Sequence, residues 1–391
     1  MTHVDVLVIG AGPAGSALAA SMARTGASVM LVEAARHPRA KACAEYASPR
    51  IVEELIRIGI PPSEWTDAAV PLAGMHLHAD GHATMIRYAD GRGPRSAWGV
   101  DRRTFDARLA SHAVWCGAAL RERASLVRLE TAHGRVRGGW VRDHETDTEE
   151  LVTADWTVGA DGVRSTLARL VGVERRVRFP RRLGLVAHYA GAGGPTGHGE
   201  MHVGGGGYIG LAPTAGGALN VGMALPLDGA SGSSRSRFEA AIAALPMVAA
   251  RLAGAHRISP IRGAAPIGHR VRRVAGPGWL LIGDAAGFVD PFTGEGIHRA
   301  LRSARGATDA LLAGGDVERA YERERRRAFA AKTALTWLVQ GFLVAPPLLR
   351  HAVARLEERP RAALRLGSAL GDLRPATDAL SPAALVEVLA P

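Results

Sequence analysis

The residue types and spacings best suited to chemistry lie in the run Trp279 to Ile297, WLLIGDAAGFVDPFTGEGI. An apolar strand ending at Gly283 delivers Asp284, a short carboxylate able to accept hydrogen bonds from the hydroxyls of a polyol. Beyond Pro291 the chain turns through Gly294, Glu295 and Gly296 into a helix at Ile297. The first N–H groups of a helix have no partner within it, and the helix dipole makes that end a seat for negative charge. A carboxylate for hydroxyls and a helix start for an anionic ring edge together suit a flavin. A loop that only caps a helix accounts for the glycines but not for Asp284.

Two further segments supply the rest of a dinucleotide site. Val4 to Ile9 reads as a buried strand, followed by Gly10-Ala11-Gly12-Pro13-Ala14-Gly15, the Ala-rich helix Ser16 to Arg24, and a second strand, Ser28 to Val32, that ends at Glu33. The glycines allow a tight turn, close approach to a pyrophosphate and close helix packing, and Glu33 stands where an acid hydrogen-bonds the adenosine ribose. Its charge repels a ribose 2′-phosphate, so the tightly held nucleotide is expected to be FAD or NAD rather than NADP. Trp156 to Ser165, WTVGADGVRS, is a strand leading into Asp161-Gly162, with Arg164 close behind.

GxGxxG with its acid, then GADGxxS, then GDAAGxxxPxxGEG, in this order, resembles the FAD-dependent oxidoreductases of the para-hydroxybenzoate hydroxylase-like fold over roughly the first 330 residues. The resemblance implies FAD held by Gly10, Gly12, Pro13, Ala14, Gly15, Glu33, Ala34 and Ala42. It places Arg102, which opens R-x-x-F-D-x-x-L with Phe105, Asp106 and Leu109, on the FAD phosphate and ribose region, and the backbone of Leu126 on adenine. Asp161 and Gly162 match a motif that touches both FAD and a nicotinamide donor. Asp284, Pro291, Gly294, Glu295, Gly296 and Ile297 match the flavin-ring motif. Glu295 departs in part, because a carboxylate beside the reduced ring opposes the negative charge formed there; its side chain is expected to point away.

Gly-Glu-Gly also resembles the geranylgeranyl-reductase-like branch of this fold, as do Lys41-Ala42-Cys43 and Ser48-Pro49-Arg50, which match K-x-C and S-P-R. The branch implies a Cys43 near the isoalloxazine that assists protonation. Ala44-Glu45 replaces the usual Gly-rich pair after it, and a small buried apolar role for Cys43 stands beside the chemical one. Tyr208 to Pro213 lies where flavin halogenases carry W-x-W-x-I-P, and Gly210 in place of an aromatic disfavours halogenation. With Arg359-Pro360 and Gly371-Asp372-Leu373, that segment looks more like flavoprotein hydroxylases of bacterial secondary metabolism.

Composition bounds these readings. A chain of 391 residues with 47% hydrophobic content is long enough for two domains with real cores. The formal net charge of +11 comes almost wholly from arginine, since only Lys41 and Lys332 are lysines. The arginines are scattered in short clusters such as Arg175-Arg176 and Arg325 to Arg327. No basic tract interleaved with aromatics appears, which argues against nucleic-acid binding, while steering of an anionic substrate stays open. Two cysteines, Cys43 and Cys116, make no disulfide framework and fit a reducing compartment. The chain enters its first strand within four residues, leaving no room for a targeting peptide, and a cytoplasmic location is expected. The longest apolar run, Ala334 to Leu349, is interrupted by Gln340, Gly341 and Pro346-Pro347 and falls short of the ~20 residues of a spanning helix. A peripheral membrane contact through it is the alternative.

The expected architecture is α/β: a Rossmann-like FAD-binding domain (1–70, 98–175 and 269–312), an inserted antiparallel sheet for substrate (71–97 and 176–268), and a C-terminal helical region (313–391). Expected strands in the insert are Leu183 to Tyr189, Gly199 to Val203, Gly207 to Leu211 and Leu219 to Ala224, and Arg350 to Leu370 reads as an amphipathic helix interrupted at Pro360. His76, His78, His82, His188, His198 and His202 lack a matching Cys/Asp set in the sequence, so no metal centre is expected. Glu200 and His202 share one strand face. If that face is inward, His202 or Tyr208 would orient a phenol or carbonyl, and with Cys43 these are the candidate catalytic residues.

The main expectation is an FAD-dependent monooxygenase. NADH or NADPH would reduce the flavin, and O₂ would form a C4a-hydroperoxide that hydroxylates an apolar or aromatic small molecule. The alternatives are an ene-reductase of the geranylgeranyl reductase type, an electron-carrier flavoprotein, for which two cysteines cannot supply an iron–sulfur set, and a nucleotide-sensing module. Substrate identity and oligomeric state are not legible.

Overall fold

Two sheets organise the chain, each assembled from segments far apart in sequence. The computed structural model describes residues 2–194, 196–227 and 232–390. Among them, the first sheet has eight strands with a parallel centre. Thr2–Ile9 lies between Val29–Glu33 and Glu149–Gly159, Ala119–Glu122 pairs outside Val29–Glu33, and Trp279–Leu281 pairs with the end of Glu149–Gly159. Val6 to Ile9 and Val29 to Val32 are buried on both faces, as unbroken apolar runs must be when helices cover a parallel sheet. Ala124–Ala132 and Arg135–Asp143 extend the sheet antiparallel.

The Pro13–Ala23 helix begins with Pro at its first position, where a missing N–H costs nothing. Gly10 has φ 102°, and a Cβ on Gly15 would stand 1.9 Å from the Gly10 carbonyl oxygen. No other residue lets the helix start so close to the strand it leaves. Arg102–Trp115 and Gly296–Ala313 pack beside this helix in one core with Leu18, Phe105, Leu109 and Leu301.

The second sheet has nine strands among the described residues. Arg182–Ala190, Leu219–Pro226, Gly207–Pro213 and Gly199–Gly204 follow one another antiparallel, and the hairpin of Gly74–Ala79 and His82–Asp90 completes the row. The pairing is antiparallel along this row except at one seam, where Gly199–Gly204 and Gly74–Ala79 run parallel. No short turn joins these two strands, so nothing imposes hairpin geometry on them. Leu185, Ile209 and Val221 point to one face, where Phe238 and Val248 of the helices Ser234–Ala243 and Pro246–Arg251 cover them. The opposite face looks toward the first sheet.

The C-terminal region is helical, with the longer helices Val317–Leu343, Pro346–Glu358 and Pro360–Leu370 followed by the short ones Ala376–Leu380 and Pro382–Leu389. Gln340 and Gly341 do not interrupt the first; it runs to Leu343 and bends by 112° into the second. Among the described residues no single helix is long and apolar enough to cross a membrane. Lys332, buried within the long helix, places its ammonium 2.8 Å from Asp372 and 3.2 Å from Glu295, and donates to the carbonyls of Ala369 and Leu370. His298 and the Ser48 hydroxyl close on Asp372 from the other side. Burial disfavours the Lys332 charge, yet the two carboxylates hold its pKa above the usual lysine value. Burial likewise opposes the Asp372 charge, but His298 and Lys332 keep that carboxyl well below the ordinary 3.8.

Lys332→Met would leave two buried carboxylates without their cation, a change that costs ~3–5 kcal/mol, and thermal unfolding at neutral pH should show a clearly lowered Tm. A carboxyl with a depressed folded pKa contributes stability above its unfolded value and loses it as the pH falls. The gap between parent and variant should therefore narrow as the medium is taken below the ordinary Asp value of 3.8.

Candidate functional site

Between the two sheets lies a cavity of about 510 Å³. Its walls are the first glycine turn (Gly12, Pro13, Ala14), the segment from Ala40 to Tyr46, Arg102, the turn at Asp161-Gly162, and the run Pro291 to Ile297 with Gly283-Asp284. The second sheet gives it a floor of Gly184, Val186, Gly210 and Gly222, with Met75, Met201 and Ile267 around the edge.

The glycine turns fit a dinucleotide. A Cβ on Gly296 would meet nothing within 4 Å, and one on Gly12 would meet only the Arg39 guanidinium at 3.6 Å, so both backbones open onto free space. Gly294 adopts φ 66° and lies so close to the Tyr46 ring that a Cβ would come within 2.7 Å of it. Asp284 projects into the cavity from the turn after Trp279–Leu281, and its carboxylate makes no hydrogen bond among the described residues; the Ser303 hydroxyl secures the preceding Gly283 N–H at 2.8 Å. A carboxylate so placed has its lone pairs available for ribityl hydroxyls.

Asp161 also lines the cavity, and one of its oxygens accepts the Thr166 N–H at 2.6 Å, bracing the short helix that follows. Burial raises its pKa above the ordinary aspartate value. Glu33 lies outside the cavity lining. Its carboxylate accepts the N–H groups of Ala11 and Ala35 at 3.0 and 3.1 Å and pairs with Arg39 at 3.1 Å, so it holds the glycine turn in place. Ala34 beside it is exposed, and Leu126 is buried in the core of the first sheet, neither reaching the cavity.

Arg102 lines the cavity and is held there by protein partners. Its Nε and Nη2 hold Asp106 at 2.8 and 2.9 Å, and its Nη1 donates to Cys43 Sγ at 3.2 Å. Burial opposes the guanidinium charge, but the Asp106 carboxylate overrides it and keeps the pKa well above the ordinary arginine value. Cys43 and Ala42 both line the cavity, and Cys43 Sγ also accepts the Glu45 N–H at 3.4 Å. The Glu45 carboxylate meets His188 at 2.8 Å, and Asn220 donates to the Cys43 carbonyl at 3.0 Å. Hydrogen bonding to Glu45 raises the His188 pKa above 6.5 against the effect of burial. Glu45, His188 and Asn220 were not singled out as a group by sequence. Their only sequence signal is strand alternation, which places His188 on the face of Gly184 and Val186.

The two candidate catalytic side chains of the second sheet are placed on opposite faces. His202 pairs in register with Ile209 and Tyr208 with Val203, so the two cannot face the same way. His202 points to the far face of the sheet, outside the cavity lining, where its ring stacks on His78 at 4.5 Å and meets Glu200 at 3.1 Å. Tyr208 does line the cavity, but its hydroxyl donates to Asp290 at 2.6 Å and Arg182 pairs with the same carboxylate. Burial, then Asp290, pushes this phenol well above its ordinary pKa of 10.0. Glu295 is buried and aims its carboxylate at Lys332, with Thr336 at 3.3 Å.

A family model described as an FAD binding domain matches residues 3–333. The chain belongs to that family. It is an FAD-dependent oxidoreductase. A menaquinone reductase of Mycolicibacterium smegmatis is 33% identical over 330 residues, 80% of this chain and 78% of the relative. A digeranylgeranylglycerophospholipid reductase of Methanosarcina mazei is 29% identical over 87% of this chain and 84% of its own length. Among solved structures, a flavin-dependent brominase superposes with a TM-score of 0.82 at 20% identity, covering 96% of this flavoprotein and 97% of that chain. A geranylgeranyl bacteriochlorophyll reductase-like protein of Thermoplasma acidophilum gives 0.77 at 21%, covering 100% and 96%.

Asp284→Ala should weaken FAD binding roughly ten- to a hundredfold, the equivalent of ~1–3 kcal/mol for buried hydroxyls left unpaired. Gly12→Val should abolish FAD retention while the apoprotein melts as the parent does, because the new methyls fill ligand space and no protein space; flavin fluorescence titration measures both. A second expectation concerns pH. A histidine with a raised folded pKa contributes stability below its unfolded value and loses it as pH rises through the folded one. His188→Gln should therefore lower Tm more at about pH 6 than at about pH 9, and equal losses would remove the charge from the His188–Glu45 contact.

Proposed function

We propose that this flavoprotein is an ene-reductase that saturates carbon–carbon double bonds of a long isoprenoid chain, the reading set second to hydroxylation on sequence alone. The observation that carries it is the pair of relatives named as reductases of menaquinone and of a digeranylgeranylglycerophospholipid. Those two compounds differ in headgroup, and the reducible part they have in common is the polyprenyl chain. The cavity supports this reading: a glycine floor edged by methionines and Ile267 suits a flexible apolar chain. The hydroxylase reading loses its phenol-orienting groups, since His202 lies behind the sheet and the Tyr208 hydroxyl is engaged by Asp290.

When bound, FAD supplies the electron pair as hydride to one alkene carbon, and NADH or NADPH is the expected source of that reducing power. The chain's own part is the proton for the other carbon. Cys43 stands on the cavity wall with Arg102 Nη1 at 3.2 Å from its sulfur and the Glu45 N–H at 3.4 Å. Those donors stabilise the thiolate left when the thiol gives up its proton. Hydride and proton together add two hydrogens across the double bond, and solvent restores the thiol. Lipids of this kind reside in membranes. Exposed Trp337, Val344 and Leu348, around the bend between the helices Val317–Leu343 and Pro346–Glu358, offer apolar surface for a peripheral contact from the cytoplasmic side.

The test is anaerobic incubation of the reduced, FAD-loaded protein with a geranylgeranyl lipid. Mass spectrometry should show a gain of two hydrogens for each double bond consumed. Cys43→Ala should keep its FAD and lose roughly a hundredfold or more in turnover, the usual contribution of a positioned general acid. Hydroxylated product that requires O₂, formed equally well by Cys43→Ala, would return the protein to the oxygenases.

A further inference from the structure

We propose that His78, Glu200 and His202 form a site for a divalent transition-metal ion of the zinc class, on the face of the second sheet opposite Met201 and Tyr208. The ligand atoms of these three side chains all lie within 4.8 Å of one another. Two imidazoles and one carboxylate are a donor set that zinc accepts, with a fourth position left for water or a further side chain. Parallel pairing assembles the set, because register puts His202 opposite His78 and Glu200 opposite His76. His76 therefore shares the face, and the ring of His198 lies 5.1 Å from it.

The surroundings are those of a ligand site more than of a packed core. Glu200 and His202 are buried, whereas His78 is half-buried, and neither of the His78 ring nitrogens has a hydrogen-bond partner among the described residues. Nδ1 of His198 is buried and also without one. Arg251 Nε donates to one oxygen of Glu200 at 2.8 Å, which orients the carboxylate and leaves the other oxygen facing His202. An outer partner of that kind holds a carboxylate ligand in position. The rings of His78 and His202 are parallel to within 4° at 4.5 Å. A metal lies in the plane of each imidazole it binds, so joint ligation turns the more exposed His78 ring out of the stack.

The place of the cluster gives the ion a task. Gly74–Ala79 with Gly199–Gly204 is the seam at which the hairpin of residues 74–90 joins the rest of the second sheet. No turn connects the two strands, so their union depends on ladder hydrogen bonds and side chains alone. A metal with ligands on both strands fastens that seam, and its binding free energy adds to the stability of the fold.

The experiment uses the FAD-loaded full chain, free of affinity tag and stripped with EDTA, titrated with Zn²⁺ by calorimetry and melted with and without it. The parent should bind one equivalent saturably and show a raised Tm. His78→Gln and His202→Gln should each lose at least roughly ten- to a hundredfold in Zn²⁺ affinity, the loss that removal of an outer partner alone causes. Neither should show the Zn²⁺-dependent rise in Tm. Retained flavin absorbance and an unchanged Tm in EDTA identify a folded variant, and His78→Gln, altering a half-buried ring with no hydrogen bond, is the one that keeps the test valid if His202→Gln unfolds. His144→Gln, on a remote exposed loop, should bind as the parent does. No saturable binding by the parent, or binding unchanged in His78→Gln, would overturn the proposal.

Discussion

A buried ammonium, together with the apolar packing of Leu343, Leu349 and Val353, ties the C-terminal layer to the rest of the molecule. Lys332 reaches from the long helix to Glu295 in the turn before Gly296–Ala313 and to Asp372 beyond Pro360–Leu370, while His298 and Ser48 complete the cluster. Four segments remote from one another in sequence converge on three or four charges. Such an arrangement is costly to desolvate and stable only when complete. Its geometric effect is to draw the Glu295 carboxylate out of the cavity, which leaves the N–H groups of the turn free of a competing negative charge. The same contact therefore closes the fold and keeps the helix start receptive to an anion.

A second chain of charges does the corresponding work at the other end of the cavity. Glu33 is fixed by the glycine-turn N–H of Ala11 and by Arg39, Arg39 reaches Asp106 at 3.5 Å, and Asp106 holds Arg102 against Cys43. Acid and base alternate along this line, so each charge buried by the fold has an opposite neighbour. The position of the thiol is set through Arg102 by a carboxylate that never touches the cavity itself.

The parts of the site legible in the sequence are those dictated by backbone geometry. Gly10 and Gly294 sit at positive φ, and Gly15 sits where a Cβ would strike a carbonyl; such demands leave a mark on the residue type itself. The strands of the second sheet were likewise visible in their alternation and turns. What alternation leaves open is which face is inward, and one residue of register decides it. His202 and Tyr208 were candidates together for that reason, and pairing with Ile209 and Val203 separates them. The Glu45–His188 contact and the His78–Glu200–His202 cluster were hidden because each joins segments remote in the chain, and no local spacing records a contact created by sheet assembly.

Three of the four residues in the cavity floor are glycines, so much of that floor is backbone. At Gly184 an added Cβ would press within 2.7 Å of Ile267, and at Gly222 within 2.9 Å of Ala44, whereas at Gly210 it would make only ordinary contacts, with the flexible end of Met201 at 3.5 Å and the Gly222 carbonyl oxygen at 3.8 Å. Packing forbids change at two of these positions and permits it at the third. Inheritance can thus act on the depth of the cavity through one codon while the scaffold stays fixed. Divergence among descendants of such a protein is then free to take the form of a stepwise choice of substrate length, made without any alteration of the machinery that does the chemistry.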